Sequence, residues 1–276
     1  MNTLLHISDT HFGTVKPKVG QALLQFASQQ APELVLLSGD ITQRARRRQF
    51  AAARGFLARL PAPVVAVPGN HDIPLFNLLA RLCDPYRNYR QELVQELEPE
   101  FQSPSLLVIA VNTTRRQRHI DGEVSRRQID QVARRLRRAQ PGQLRIVMQH
   151  HPVRAVEDSD IANLLIGREQ AVPAWVDAGM DILLAGHIHL PYVLPLQGSQ
   201  GRVAWTAQAG TALSRRTRGT VPNSVNLIRY SPATNTAAAT RCCTVERWDY
   251  NPRSSDFTLA ASHNLRFSAA EHPTDC

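Results

Sequence analysis

Lysine is nearly missing from this chain of 276 residues; Lys16 and Lys18 are the only two, so its 32 basic residues are almost all arginine. Aromatic residues make up 6% of the chain, and no apolar run approaches the ~18 residues that would span a bilayer. The start, MNTLLHISDTH, reaches an acid at Asp9 without the basic opening and long apolar stretch of a secretion signal. The four cysteines, Cys83, Cys242, Cys243 and Cys276, show no C-x-x-C spacing, which argues against a thiolate metal site and a disulfide framework. Reduced thiols and a cytoplasmic location are the expectation. Hydrophobic residues at 43% and charged residues at 20% exclude disordered and fibrous classes.

The formal net charge of +9 would attract anions, and it allows a nucleic acid or membrane surface as a partner without favouring either. Much of the arginine falls where a helix should be wet. In Ser125 to Ala139 the apolar Ile129, Val132, Ala133 and Leu136 recur at helical spacing, while Arg126, Arg127, Arg134, Arg135, Arg137 and Arg138 take six of the remaining positions. A solvated face explains these arginines without a ligand.

Short runs of Leu, Ile and Val predict strands at Thr3 to Ser8, Leu34 to Ser38, Val64 to Val67, Leu106 to Val111, Leu144 to Gln149 and Ile182 to Ala185. Helical patterns lie between them, near Val19 to Gln30, Gln49 to Leu60, Tyr89 to Leu97, Ser125 to Ala139 and Glu169 to Ala178. The alternation predicts a largely parallel sheet covered by helices. After His189 only strands follow, near Tyr192 to Leu196, Arg202 to Ala207, Ser224 to Tyr230, Arg241 to Trp248 and Phe257 to Leu265. These are expected to form a second, mostly antiparallel sheet on the first. One domain over 1–267 with a frayed tail, 268–276, is the expected organisation.

Five polar motifs stand just after predicted strands: Asp9-Thr10-His11, Gly39-Asp40, Gly69-Asn70-His71-Asp72, His150-His151-Pro152 and Gly186-His187-Ile188-His189. A D-x-H or an H-x-H should each arise by chance about 0.4 times in such a chain, so neither means much alone. Five at strand ends, holding six of the ten histidines, are another matter. Residues two apart in an extended segment share a side, so Asp9 with His11, and His187 with His189, can face one ion together. Asp40 can bridge two cations, Asn70 offers an amide oxygen, and the glycines before Asp40, Asn70 and His187 allow sharp turns. Oxygen and nitrogen donors without thiolate suit two divalent or trivalent ions of Mn, Fe or Zn in an open catalytic site.

In this order, D-x-H, G-D, G-N-H-D, H-x-P and G-H-x-H resemble the calcineurin-like metallophosphoesterase superfamily over residues 9–189. The resemblance implies an α/β, four-layer αββα sandwich of two mixed sheets flanked by helices, with a dinuclear metal site at strand ends. It implies that Asp9, His11, Asp40 and His189 hold one metal and that Asp40, Asn70, His150 and His187 hold the other. His71 resembles the general acid or transition-state stabiliser. His151 is expected to support the ligands, and Asp72 either orients His71 or caps the next turn.

The activity implied is phosphodiester hydrolysis, by a hydroxide that two cations share and aim at phosphorus. The G-D-x-x-D-R-G pattern of the protein phosphatase branch is replaced by Gly39-Asp40-Ile41-Thr42-Gln43-Arg44. Bacterial class III cyclic nucleotide phosphodiesterases are the nearest in look. Alternatives are a pyrophosphatase acting on UDP-diacylglucosamine, a nuclease, and a basic nucleic-acid-binding module without chemistry, which intact ligands disfavour. Segment 77–99 is a candidate cap whose aromatics and arginines could stack a base and pair a phosphate. In the turn Ser214 to Gly219, Arg215 and Arg218 are candidate phosphate anchors.

Overall fold

The computed structural model describes residues 1–232 and 242–267. In chain order the elements are β1 (Asn2–Ile7), α1 (Pro17–Gln30), β2 (Leu34–Leu37), α2 (Arg47–Leu57), β3 (Val64–Ala66), α3 (Leu78–Cys83), α4 (Arg87–Glu92), β4 (Glu100–Gln102), β5 (Leu106–Ala110) and α5 (Arg126–Arg137). They continue with β6 (Leu144–Met148), α6 (Arg168–Asp177), β7 (Ile182–Ala185), β8 (Tyr192–Gln197), β9 (Val203–Gln208), β10 (Ser224–Ser231), β11 (Cys242–Asn251) and β12 (Asp256–Leu265). Single turns of 3-10 helix cover Asn70–Asp72 and Asp158–Asn163. No helix among the described residues is long and apolar enough to cross a membrane.

Two six-stranded mixed sheets result, ordered β12-β11-β10-β1-β2-β3 and β4-β5-β6-β7-β9-β8. In the first, β1, β2 and β3 run parallel and β10 joins β1 antiparallel. In the second, β5, β6, β7 and β9 are parallel, with β4 and β8 antiparallel at the edges. The strands after His189 therefore do not form a sheet of their own, contrary to the expectation. They divide, with β8 and β9 extending one parallel core and β10 to β12 the other. Each core has only a few parallel strands, and added strands bury an edge that would otherwise expose unpaired backbone groups.

The central strands are buried on both faces, which is why they read as continuous apolar runs. Alternate residues enter different cores. Leu5, Ile7, Val35 and Leu37 pack under α1 and α2 with Leu23, Phe26 and Phe50. Leu4, Leu34 and Leu36 turn the other way and meet Leu106, Val108, Leu144, Ile146 and Ile182 from the second sheet. Leu107, Ile109, Val147 and Leu183 face α5 and α6. Three apolar seams between four layers make the sandwich.

Helix ends follow local chemistry. Pro17 opens α1 at a position whose N–H would lack a helical partner anyway. Ser125 caps α5, accepting from the Gln128 backbone N–H at 3.3 Å while Gln128 Oε1 accepts from the Ser125 N–H at 3.0 Å. Its Ile129, Val132, Ala133 and Leu136 are buried, and Arg135 pairs with Glu100 at 2.7 Å. The expected helix Tyr89 to Leu97 is shorter, ending at Glu92, and α3 and β4 went unforeseen because they are too short to show a period. The expected tail, 268–276, and Arg241 lie outside the described residues.

Trp175 is fully buried between α6 and α5, and its Nε1 donates to the Ile129 carbonyl at 3.2 Å. Trp175→Ala should cost about 3–5 kcal/mol of stability, read as a lower urea midpoint. An unchanged midpoint would remove it from the load of that core.

Candidate metal centre

The C-terminal ends of β1, β2 and β3 meet those of β6 and β7, and the five motifs occupy the loops at that junction. Backbone bonds hold the junction together: Asp9 N–H to the Gly39 carbonyl at 3.1 Å, His11 N–H to that of Asp40 at 2.9 Å, and Gly186 N–H to that of His150 at 2.9 Å. Across the sheets His150 Nδ1 donates to the Ser38 carbonyl at 2.8 Å, and the His187 N–H donates to Asp9 Oδ2 at 3.0 Å.

The backbone here is not extended, which corrects the expectation for the D-x-H and G-H-x-H pairs. Asp9, His11, Asp40, His187 and His189 all have positive φ, between 43° and 77°. Left-handed backbone is uncommon for such residues and costs on the order of 1 kcal/mol each, so the surrounding contacts must impose it. It lets side chains on tight loops converge. Two glycines make room for them. A Cβ on Gly69 would overlap the Asp40 backbone N and carboxylate, and one on Gly186 would overlap Ser8 Oγ and Asp9 Oδ2.

His189 Nε2 lies 3.1 Å from Asp9 Oδ1 and 3.1 Å from His11 Nε2. On the other side His150 Nε2 lies 3.2 Å from Asn70 Oδ1, and His187 Nδ1 lies 3.1 Å from the same oxygen. Asp40 stands between, with Oδ1 3.3 Å from His150 Nε2 and Oδ2 3.7 Å from His11 Nε2. Its two oxygens thus address the two groups separately.

Imidazole nitrogens and carboxylate oxygens face one another in a way that could hold metal ions, and sets of three from these residues lie within 4.8 Å of one another. The donor chemistry therefore fits metal ions. His151 belongs to one such set, yet its Nδ1 meets Thr113 Oγ1 at 2.8 Å and its Nε2 the Ile120 carbonyl at 2.9 Å, so both nitrogens are engaged.

The electrostatics tell the same story. Burial works to raise the Asp9 and Asp40 carboxyls, but His189 beside Asp9, and His150 and His71 beside Asp40, hold both below the usual range. Burial opposes charge on His150, yet Asp40 pushes it up to about 9. A proton there occupies space suited to a cation, so a metal ion held by His150 would have to displace it and would bind more tightly as pH rises. Burial lowers His11 and His187 to about 3, leaving neutral imidazole nitrogens.

Asp72 is fully buried and accepts from the backbone N–H of Ile41 at 3.0 Å, Thr42 at 2.8 Å and Gly69 at 2.9 Å, and from Thr42 Oγ1 at 2.9 Å. It ties the Asp40 loop to the Asn70 loop. Burial and then the Asp40 charge push its carboxyl up to about 7 against those donors. His71 Nδ1 donates to the Gln43 carbonyl at 3.0 Å, and Arg216 Nη1 donates to His71 Nε2 at 2.9 Å. Neither partner can do otherwise, so this histidine carries its proton on Nδ1.

Above these residues opens a cleft of about 570 Å³ lined by Asp40, Asn70, His71, His187 and His189, with Arg216, Thr217 and Arg218 on its wall. Arg215, one expected anchor, does not line it. Arg218 does, but its Nη1 is 2.7 Å from both oxygens of Asp160 and its Nη2 contacts Glu157, so its charge is already matched. Arg216 is the arginine the sequence passed over; in Ser-Arg-Arg-Thr-Arg nothing separates it from its neighbours. Segment 77–99 supplies none of the lining. Tyr89 is buried with its hydroxyl on the Ala66 carbonyl at 3.1 Å and is not available to stack a base, while the half-buried Tyr86 meets Thr114 Oγ1 at 2.6 Å through its hydroxyl. His6 is buried beside Ser38 Oγ, and His119 and His263 are exposed.

Residues 3–191 match the model of the family described as calcineurin-like phosphoesterase. The chain is 29% identical over 203 residues to a protein of Mycobacterium tuberculosis named cAMP/cGMP dual specificity phosphodiesterase, covering 67% of this chain and 61% of that one. It is 24% identical over 190 residues to a protein of Arcobacter nitrofigilis named probable glycerophosphodiester phosphodiesterase, covering 68% and 61%. The chain thus spans under two thirds of the length of these relatives. A purple acid phosphatase from yellow lupin seeds shares the fold with a TM-score of 0.70 at 12% identity, over 96% of this chain and 53% of the other.

Gly69→Ala should displace Asp40 and lower bound metal severalfold, with secondary structure by circular dichroism unchanged. Full metal content by elemental analysis in that variant would contradict the close approach of the two loops.

Proposed function

The chain belongs to the calcineurin-like phosphoesterase family, and from that premise we propose that it is a metal-dependent phosphodiesterase with cyclic nucleotides as the leading substrate class. The observation that carries the reading is Asp40, whose Oδ1 and Oδ2 face separate nitrogen groups at 3.3 and 3.7 Å. Asp9, His11, Asp40 and His189 would hold one ion, and Asp40, Asn70, His150 and His187 the other. Bound there, Mn, Fe or Zn would supply a water of lowered pKa and neutralise charge on the phosphate.

The chain's own groups do the rest. Thr211 Oγ1 donates to the Asp9 carbonyl at 2.6 Å and fixes the first loop, while Asp72 fixes the second and third. Arg216 reaches over the cleft, where a phosphoryl oxygen competes with His71 for its N–H groups. Once the guanidinium turns to the phosphate, His71 Nε2 is free to take a proton from solvent and pass it to the leaving oxygen. Gln43 keeps the ring aimed through Nδ1.

A cleft of about 570 Å³ is of the size that holds a small nucleotide, and the net charge of +9 suits an anionic ester. The named activity of the mycobacterial relative supports cyclic nucleotides; that of the Arcobacter relative supports glycerophosphodiesters as the second reading. Cys83 and Cys243 are free thiols, which fits a reducing, cytoplasmic setting.

After chelation and Mn addition, bis(p-nitrophenyl) phosphate should be hydrolysed, with cyclic AMP turned over faster than glycerophosphodiesters; the reverse order would transfer the protein to the second reading. His71→Ala should retain metal yet slow esters with poor leaving groups most, and an unchanged rate on them removes His71 from the mechanism. Arg216→Ala should raise KM roughly 10-fold or more, the worth of a charged hydrogen bond at about 1.5–3 kcal/mol, with Arg215→Ala unchanged. Equal effects in the two variants would sink the choice of Arg216.

A further inference from the structure

Helix α3 is built inside out. Its Arg81 is only 7% exposed and donates to the carbonyls of Arg116 at 2.7 Å, Pro74 at 3.0 Å and Arg118. Its leucines point away from the protein: Leu78 is 66% exposed, Leu79 75% and Leu82 55%, with Phe76 just before the helix at 78%. Ten large hydrophobic residues are exposed in the described chain, and four of them fall within positions 76–82. Scattered apolar residues are ordinary on a protein surface, whereas such a concentration marks a contact surface. The buried arginine shows that the orientation is held in place: its three carbonyl partners pin the helix with the apolar face outward.

Two arginines border this face. The Arg44 guanidinium lies over the Phe76 ring at 5.3 Å, and Arg116 Nη1 donates to the Leu82 carbonyl at 2.8 Å. Arg44 and Arg116 are both exposed, and neither forms an ion pair among the described residues. The acid next along the chain, Asp84, is taken by Arg90 at 3.2 Å. An apolar face rimmed by unpaired guanidinium groups is the pattern of a helix that lies in a membrane interface, with hydrocarbon below and anionic headgroups beside it. A second copy fits less well, because a two-fold contact on this face would bring the same cations together.

We propose that Phe76, Leu78, Leu79 and Leu82, with Arg44 and Arg116, dock the protein on an anionic phospholipid bilayer. The face adjoins the metal cleft, since the loop that receives Arg81 also sends Ile120 into the cleft wall and accepts from Asn70 Nδ2 at the His119 carbonyl, at 3.4 Å. Docking holds the cleft mouth close to the headgroups. It needs no turnover, so its failure leaves the phosphodiesterase reading where it stands.

The test is cosedimentation of the full chain with vesicles of phosphatidylcholine alone or mixed with phosphatidylglycerol, without substrate. The protein should partition onto the mixed vesicles, release as salt is raised, and bind poorly to phosphatidylcholine alone. Phe76→Ser with Leu79→Ser should lower partitioning roughly tenfold or more, with metal content and turnover of bis(p-nitrophenyl) phosphate unchanged. Arg44→Glu with Arg116→Glu, a second and independent pair of exposed positions, should erase the preference for anionic lipid. The proposal is overturned by absent or equal binding to both vesicle types, or by variants that partition like the parent. A dimer in sedimentation velocity that the Phe76→Ser, Leu79→Ser variant loses would overturn it too, giving the face to a second copy.

Discussion

One buried carboxylate, set between two groups of histidine nitrogens, is the constraint on which the rest depends. Asp40 sits where two sheets meet, its oxygens divided between His11 and His150 at 3.7 and 3.3 Å. Burying that charge is costly unless something positive answers it. The imidazoles answer it in part, and cations would do so more fully. The position also dictates the backbone, because a carboxylate can reach both groups only from a tight turn. Asp40 accordingly has a φ of 49°, and Gly69 leaves it the space.

The layers make such a junction affordable. Three apolar seams bury Leu, Ile and Val from strands on both faces, each side chain contributing about 1.5–3 kcal/mol. Against that background five residues in left-handed backbone can be tolerated, and Asp72, with four donors on its carboxylate, locks two of the loops to each other. Among the described residues, five of the eight non-glycine residues with positive φ belong to the motifs at one end of the sandwich, and the opposite ends of the strands carry none of the motif residues.

The wall of the cleft divides its arginines by partner. Arg218 is neutralised by Asp160 and Glu157 and braces the loop over 157–163; Arg216 meets His71 and Gln43 and has no acid partner among the described residues. Adjacent residues of one type thus acquire different tasks from the acids the fold sets opposite them. The same logic makes α3 legible, where a single buried Arg81 determines which way three leucines face.

The sequence alone determined which residues would be polar at strand ends, since D-x-H, G-D, G-N-H-D, H-x-P and G-H-x-H depend on residue type and order. It also determined that helices would cover parallel strands, because continuous apolar strands alternating with amphipathic helices must bury both faces, while the four-layer order came only with the family resemblance. Only the tertiary structure decided that the strands after His189 divide between two sheets, since pairing partners are set by long-range contact. It decided that the motif loops are left-handed, alongside backbone bonds from Asp9 to Gly39 and from His11 to Asp40 that no local pattern encodes. And it separated Arg216 from Arg215 and Arg218, because a guanidinium's role depends on which carboxylates lie within its reach, and the distance between residues 160 and 218 is a property of the fold.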